Sequence, residues 1–190
     1  KPFGMLSQFT KEGEHQTLAD LDFTFPKDIY PVGRLDADSE GLLLLTNDNF
    51  LKTKLLEPKN KHLRTYYVQV EGEITNEACL HLSKGVKITI NGNPYLTFPA
   101  IVKAIDTPEL PERNPPIRVR KNIPTSWLSV SLYEGKNRQV RRMTAAAGFP
   151  TLRLVRWAIG KMNLSSNGEK MANPGDVWEV TKSDVPLFYR

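Results

Sequence analysis

Apolar and polar residues alternate along several stretches of the chain, as they do in strands that bury one face. Residues 65–71 and 127–133 show this alternation and are rich in β-branched and aromatic residues, so each predicts a strand. Residues 42–46 form an apolar run typical of a short buried strand. Weaker patterns predict further strands at 3–9, 86–90, 100–105, 152–159 and 177–180.

Three segments carry the signals of helices instead. Asn47 or Asp48 can cap a short first helix, and Thr75 can cap a second one that runs through Ser83. The third is predicted over 137–147, where side chains recur at helical spacing on one face: Val140, Met143, Thr144 and Ala147.

The order of these elements predicts the class of fold. Residues 106–126 contain five prolines and predict a long loop. Elsewhere, helices and strands follow one another without the regular rhythm that builds a parallel sheet. We therefore expect an α+β fold with a mixed, mostly antiparallel central sheet and flanking helices, and the pattern allows two subdomains around a cleft.

Positive charge is concentrated in one part of the sequence. The 190-residue chain carries a net charge of +5. The segment from Arg118 to Arg142 alone contains seven basic residues and only one acidic residue, Glu134. The rest of the chain is therefore close to neutral. A phosphate-facing surface for a polyanion fits this distribution, and a solvated basic face is the alternative.

Several classes of protein are disfavoured. A single cysteine, Cys79, excludes an internal disulfide and favours a reducing compartment, for which we expect the cytoplasm. Three scattered histidines lack the spacing of zinc ligands, so we expect no metal. No apolar run approaches the roughly 18 residues of a membrane helix, so we expect no membrane partner.

Asp36 is the candidate for chemistry. It lies in a tight acidic loop, 33–40, that precedes the apolar run, and Gly33 and Gly41 let the chain turn at both ends. A carboxylate held in such a loop, with Arg34 two residues away, is a candidate nucleophile or acid–base group.

Two other interpretations of the acidic loop stay open. Asp36, Asp38 and Glu40 match ligand positions of a calcium-binding loop, but Asn47 stands where that loop needs a bidentate glutamate. A turn whose carboxylates only cap their own backbone amides is the stronger alternative.

The helix predicted over 137–147 carries three arginines beside Lys136. Arg138 and Arg142 are four residues apart and share a face, whereas Arg141 points elsewhere. A phosphate-binding helix and a solvent-facing basic helix both fit this spacing. The spacing alone leaves open which arginine points inward.

The strand over 65–71 places two tyrosines in succession. Tyr66 and Tyr67 point to opposite faces of the sheet, so we expect one of them to be buried. Such a tyrosine can stack on a base and hydrogen-bond through its hydroxyl. The high β-preference of tyrosine favours a plain core role instead.

Several motifs, in order along the chain, resemble those of pseudouridine synthases, in the branch that modifies ribosomal RNA and is typified by the small-subunit 16S enzyme. They differ from the usual pattern mildly, with Val140 for isoleucine and Arg64 for lysine. The matching segments are Gly33-Arg34-Leu35-Asp36 with 40–43, Arg64-Thr65-Tyr66, 134–143 (Glu-Gly-Lys-Asn-Arg-Gln-Val-Arg-Arg-Met), 152–156 and Ile159-Gly160.

The resemblance implies roles for particular residues. Asp36 would be the essential carboxylate, with Arg141 as its cation, and Tyr66 would stack on the uracil and help to remove its C5 proton. Arg34 would prop open the flipped nucleotide. The remaining basic residues would grip the RNA backbone: Lys136, Arg138, Arg142, Arg118, Arg120 and Lys121.

The resemblance also implies an enzyme that isomerises a specific uridine without cofactor or metal. Residues 1–190 would form the catalytic domain. Lys1-Pro2-Phe3-Gly4 already resembles its opening, so the S4-type RNA-binding domain common in this branch would be absent or removed. A member without that domain favours 23S rRNA, free or in an assembly intermediate, as the partner of a monomeric enzyme.

Two rival functions stay open. A non-catalytic rRNA-binding module explains the basic helix but leaves the acidic loop unexplained, because an acid in an RNA groove repels phosphate. A nucleic-acid glycosylase also uses a carboxylate at the sugar C1′ but releases the free base. The three functions differ in their product: pseudouridine, free uracil or nothing.

Overall fold

A computed structural model describes residues 1–57, 60, 62–117, 120, 122–165 and 171–183. The fold is α+β with a mixed, mostly antiparallel central sheet, which confirms the predicted class. The strands are β1 (Tyr30–Pro31), β2 (Glu40–Gly41), β3 (Leu45–Thr46), β4 (Arg64–Glu71), β5 (Lys87–Ile90), β6 (Asn93–Leu96), β7 (Ile101–Ile105), β8 (Thr125–Leu132), β9 (Thr151–Ile159) and β10 (Met162–Asn163). The helices are α1 (Asn49–Leu56), α2 (Asn76–Ser83) and α3 (Gln139–Ala146).

The main sheet has the strand order β10-β9-β4-β8-β7, and β2 joins the outer edge of β9. The long strand β4 lies between β8 and β9 and is antiparallel to both. Tyr66, near the start of β4, consequently faces Val130 of β8 on one side and Arg156 of β9 on the other.

The parallel pairing of β2 with β9 brings the acidic loop to the sheet. Glu40 pairs with Val155, and Gly41 pairs with Arg156. Gly41 has a φ of +110°, and a Cβ added there would lie 2.4 Å from the Arg156 carbonyl oxygen. Only glycine permits this approach, so Gly41 fixes the end of the acidic loop against the central sheet.

The helices begin where their capping residues predict, with one exception. Asp48 accepts a hydrogen bond from the Leu51 amide at the start of α1, and Thr75 accepts one from the Ala78 amide at the start of α2. The third helix begins two residues later than predicted, because Arg138 adopts a left-handed φ of +50° that is incompatible with a helix.

Two hydrophobic cores lie on the two faces of the sheet. Val68, Leu154 and Met143 belong to the first, which packs under α2 and α3. Leu55 and Val155 belong to the second, which packs against α1. Adjacent residues of a strand point to opposite faces, so Leu154 and Val155 join different cores. Each fully buried aliphatic side chain contributes roughly 1.5–3 kcal/mol.

Two strand predictions were wrong, and a third was right only in part. Residues 3–9 and 177–180 are irregular, and the apolar run 42–46 is strand only at Leu45–Thr46, where it pairs with β1. Apolar composition alone does not provide a partner strand. The short strands β1, β2, β6 and β10 were not predicted. The described part of the 106–126 loop contains no helix or strand before β8 begins.

Two further properties concern the described residues only. None of their helices has the length and apolar character needed to cross a membrane. The single cysteine, Cys79, is buried in the first core as a free thiol, and burial raises its pKa.

The Gly41 contact generates a stability prediction. Gly41→Ala should lower the free energy of unfolding by roughly 3 kcal/mol, because backbone strain and overpacking each cost about 1–3 kcal/mol. Urea or thermal denaturation measures the change. Gly135→Ala is the matched control, since a Cβ there would meet nothing within 4 Å. Equal stability of the two variants would contradict the close packing of Gly41 against the Arg156 backbone.

Candidate active site

The first residues of the chain hydrogen-bond to the backbone of the acidic loop. Ser7 donates its hydroxyl to the Leu35 carbonyl at 2.9 Å and accepts the Leu35 amide at 3.0 Å. The Gly4 amide donates to the Ala37 carbonyl at 2.7 Å. These bonds flank Asp36 on both sides, so the backbone that carries its carboxylate is fixed.

A buried ion pair anchors the end of the loop. Glu40 accepts two hydrogen bonds from the Arg153 guanidinium, at 2.9 and 3.0 Å, and Arg153 also donates to the Pro111 carbonyl at 2.8 Å. Because both side chains are buried, loss of one partner would cost about 3–5 kcal/mol. The pair ties the acidic loop to β9 and to the proline-rich loop.

Arg138 contacts both carboxylates of the loop. Its guanidinium donates to the two oxygens of Asp38, at 2.7 and 3.1 Å, and lies 3.6 Å from a carboxylate oxygen of Asp36. The side chain of Asp36 is 38% exposed. Asp36 is therefore next to a cation and still open to a substrate.

Arg141 is the more buried arginine, with 13% of its side chain exposed against 40% for Arg138. It donates to the Asp38 carbonyl at 2.6 Å, and its Nε lies 3.4 Å from the Asp38 carboxylate. We expected Arg141 to pair with Asp36. Instead, the ion pair of Asp36 comes from Arg138, and Arg141 contacts the loop through Asp38.

Asp38 is thus the acid that joins the two arginines. Burial raises its pKa, but the hydrogen bond from Arg138 and the charges of Arg141 and Arg138 outweigh burial and hold the pKa below its ordinary value of 3.8. Asp38 is consequently ionised at neutral pH. Its position two residues after Asp36 is the only sign of this role in the sequence.

Glu134 fixes the turn that leads into α3. This buried carboxylate accepts hydrogen bonds from the Tyr95 hydroxyl at 2.5 Å, the Phe98 amide at 2.8 Å and the Gln139 side chain at 2.6 Å. The bond to Glu134 raises the pKa of Tyr95 to about 12. No role was predicted for Glu134 from the sequence, although it begins the motif at 134–143.

The two tyrosines of β4 are both half-buried, whereas we expected one to be buried. Tyr66 packs against the first core and pairs across the sheet with Arg156. Tyr67, on the opposite face, stacks on Trp157 with ring centroids 4.9 Å apart. Tyr66 is therefore the tyrosine on the face of α3.

The predicted RNA-binding residues do not all lie together. Arg34 is exposed on the acidic loop, and the Lys136 ammonium lies 5.1 Å from the Tyr95 ring centroid. Arg142 donates to the Thr89 carbonyl and to Asn137. Lys136 and Arg142 are thus close to Arg138 and Arg141 in the chain, and Arg34 lies on the same loop as Asp36.

Arg120 lies apart from that group. It pairs with Glu71 at 3.1 Å, and Glu71 ends β4, roughly 16 Å from Tyr66 at 3.3 Å per residue. Two other predicted contacts, Arg118 and Lys121, lie outside the described residues. Within the described ranges, no group of His, Cys, Asp and Glu could hold a metal ion.

A cavity of about 400 Å³ lies elsewhere, on the face of the second core. Leu44, Trp178, Glu40 and Arg153 are among its lining residues, and Asp36, Tyr66 and Arg141 are not. The candidate site is instead an open surface between the acidic loop and the start of α3. A surface of that shape suits a large substrate better than a small molecule.

Comparisons with known proteins agree on one family. The family model for RNA pseudouridylate synthase matches residues 1–146. A Vibrio parahaemolyticus protein named ribosomal large subunit pseudouridine synthase E is 52% identical over 86% of this chain and 66% of its own length. The protein of that name from Xanthomonas axonopodis pv. citri is 49% identical over 87% of this chain and 86% of its own length.

A solved structure has the same fold. A crystal structure of a pseudouridylate synthase matches 99% of this chain and 70% of that chain, with a TM-score of 0.76 and 25% identity. This chain spans about two thirds of the Vibrio protein's length. The family model covers most of the sequence, and these two relatives are about 50% identical to it in sequence. This chain therefore belongs to the RNA pseudouridylate synthase family.

Proposed function

We propose that this chain isomerises a uridine of large-subunit ribosomal RNA to pseudouridine, with Asp36 as the catalytic carboxylate. The observation that carries the proposal is the position of Asp36, which is open to substrate and lies 3.6 Å from the Arg138 guanidinium. The printed names of the relatives support the large ribosomal subunit as the source of the substrate.

The reaction needs no co-reactant. The bond between the ribose C1′ and uracil N1 breaks, the uracil rotates, and C5 bonds to C1′. The C5 hydrogen leaves as a proton and N1 gains one, so no atoms or electrons are gained overall. Asp36 reacts as a carboxylate whether it attacks the sugar, adds to the base or removes a sugar proton.

The target base must leave the RNA stack before it can reach Asp36. Flipping a base costs a few kcal/mol, about the value of one or two stacking and charge contacts. Arg34 is exposed two residues before Asp36 and fits the role of a prop for the vacated position. Tyr66 offers a ring face for the extruded uracil.

The RNA backbone would lie across the start of α3. Lys136, Arg138 and Arg142 present positive charge there, and phosphate contacts position RNA without reading its sequence. Arg120, at the far end of β4, could reach only a more distant phosphate. Arg141 is too enclosed for this role, so we assign it to holding Asp38 and the acidic loop.

Replacement of the carboxylate tests the catalytic assignment. Asp36→Asn should fold and bind RNA but lose turnover, because an amide cannot act as nucleophile or base. The assay measures tritium released to water from rRNA that is labelled at uridine C5 and comes from cells lacking this protein. Asp106→Asn, in the proline-rich loop, is the control and should keep full activity.

Each possible product has a distinct consequence. Turnover by a folded Asp36→Asn variant would show that Asp36 is not the catalytic carboxylate. Free uracil from the intact chain would indicate a glycosylase. No release on either naked rRNA or ribosomal subunits, with RNA binding intact, would indicate a binding module.

Salt dependence of RNA binding locates the phosphate surface. Arg142→Ala and Arg138→Ala should each weaken binding and reduce the slope of log K against log salt by about 0.7–1, because each removes one phosphate contact. Lys11→Ala removes an exposed cation that pairs with Asp20 away from the site, and it should leave the slope unchanged. Equal slopes for all variants would place the RNA on another surface.

Acid titration tests the role of Asp38. Since its folded pKa is depressed, its ion pairs stabilise the fold fully above the ordinary value and are lost as pH falls through the folded value. Asp38→Asn should therefore cost about 1 kcal/mol at pH values well above 3.8, and this difference should shrink as the pH falls below 3.8. Denaturant unfolding at several pH values measures it. A difference that does not change with pH would contradict the ion pairs.

A further inference from the structure

Arg156 of β9 is buried without a balancing charge. Its residue is 4% exposed, and its Nε donates to the Leu42 carbonyl at 2.7 Å. Its Nη2 has no hydrogen-bond partner within the described residues, and none of their carboxylates lies within ion-pair distance. A buried ion without a counter-ion costs on the order of several kcal/mol, so a fold that keeps one requires an explanation.

Arg153, three residues earlier on the same strand, provides the contrast. It is about as buried, at 8% exposure, yet Glu40 and the Pro111 carbonyl satisfy its guanidinium. The same strand thus supplies a full set of partners to one arginine and leaves the other incomplete. The incomplete arginine is the one on the face of the candidate site.

The fold directs Arg156 toward Tyr66. The two residues are direct cross-strand partners at an irregular point of the β4–β9 ladder, so their side chains lie next to each other on the same face of the sheet. On its other side, the Arg156 backbone is held by the close approach of Gly41. Arg156 therefore joins the end of the acidic loop to the tyrosine strand.

Other charges around Arg156 do not replace Tyr66 as its partner. Arg64 on β4 and Lys1 at the start of the chain are both cations and repel the guanidinium. The carboxylate of Glu40 on β2 is already taken by Arg153. Of these described neighbours, Tyr66 is the one whose side-chain oxygen can accept a hydrogen bond from Arg156.

We propose that Arg156 is a positioning residue for Tyr66, and that its guanidinium holds the phenol oxygen and stabilises negative charge on it while Tyr66 accepts the C5 proton of the substrate. This inference rests on the proposed isomerisation. The Tyr66 oxygen takes the C5 proton as its own proton leaves to water, so the phenol is unchanged. The C5–H electron pair forms the C5–C6 double bond, the electron pair of the C6–N1 double bond moves to N1, and N1 takes a proton from water. The net change is one proton from C5 to water and one from water to N1.

The experiment separates this step from folding and binding. Arg156→Met, Arg156→Lys, Tyr66→Phe and the double variant Arg156→Met/Tyr66→Phe are compared with the intact chain on rRNA carrying tritium at uridine C5 and ¹⁴C at C2. The ratio of tritium released to ¹⁴C-pseudouridine formed gives the isotope effect on C5 deprotonation. Filter binding gives RNA affinity, and thermal melting confirms that each variant folds.

Arg156→Met should slow single turnover by about 100-fold, the low end of general-base effects, with RNA affinity within about twofold of the intact chain. Its isotope effect should rise, because C5 deprotonation becomes rate-limiting. Arg156→Lys keeps the charge and should recover part of the rate. In the Tyr66→Phe background, Arg156→Met should reduce the single-turnover rate little further, because the effects of two coupled residues are not additive.

Other results would overturn the inference. A slower variant with an unchanged isotope effect, or losses that add fully in the double variant, would show that Arg156 only supports the fold. If Arg156→Met does not fold, Arg156→Lys decides, and an isotope effect equal to that of the intact chain rejects the proposal. No tritium release by the intact chain would instead reject the proposed function itself.

Discussion

The position of the acidic loop depends on the two-residue strand β2 and its parallel contact with β9. Gly41 packs against the backbone of Arg156, and Glu40 forms a buried ion pair with Arg153. Parallel pairing fixes the direction in which the preceding loop must leave the sheet. The loop is therefore carried toward the start of α3, where Asp36 meets Arg138. Asp36 and Arg138 are about a hundred residues apart in the sequence. The contact between β2 and β9 is what brings them together.

Crowded cations at the start of α3 repel one another unless each has its own acceptor. The structure gives Arg138 the carboxylates of Asp38 and Asp36, and it gives Arg141 the Asp38 carbonyl and carboxylate. Arg142 turns to carbonyl groups instead. Of these three arginines, Arg138 and Arg141 pair with acids and Arg142 does not. A phosphate that binds Arg142 therefore displaces only neutral partners. This difference makes Arg142 the cleaner reporter of RNA binding.

Local signals in the sequence predicted the parts of the site that are contiguous in the chain. The glycine-bounded loop, the tyrosine strand and the basic helix were all located, and so was Asp36 within its loop. The partners of these residues were not predictable, because they depend on the strand register. Glu134 and Arg156 acquire their contacts only when Tyr95 and Tyr66 are brought to them by the fold. Arg138 rather than Arg141 pairs with Asp36, and Arg138 adopts a left-handed backbone conformation that is rare for arginine and that no local pattern predicts.

The site divides into two halves that respond differently to solution conditions. Asp36, Asp38 and Arg138 are partly exposed, so salt screens their interactions, and acid removes the charge of Asp38. Arg156 is buried in the sheet, where salt has little access. High salt should therefore act on turnover through the acidic loop and RNA binding, while proton transfer through Tyr66 and Arg156 keeps its intrinsic rate. An isotope effect that stays constant as salt lowers the overall rate would separate the two halves within one series of measurements.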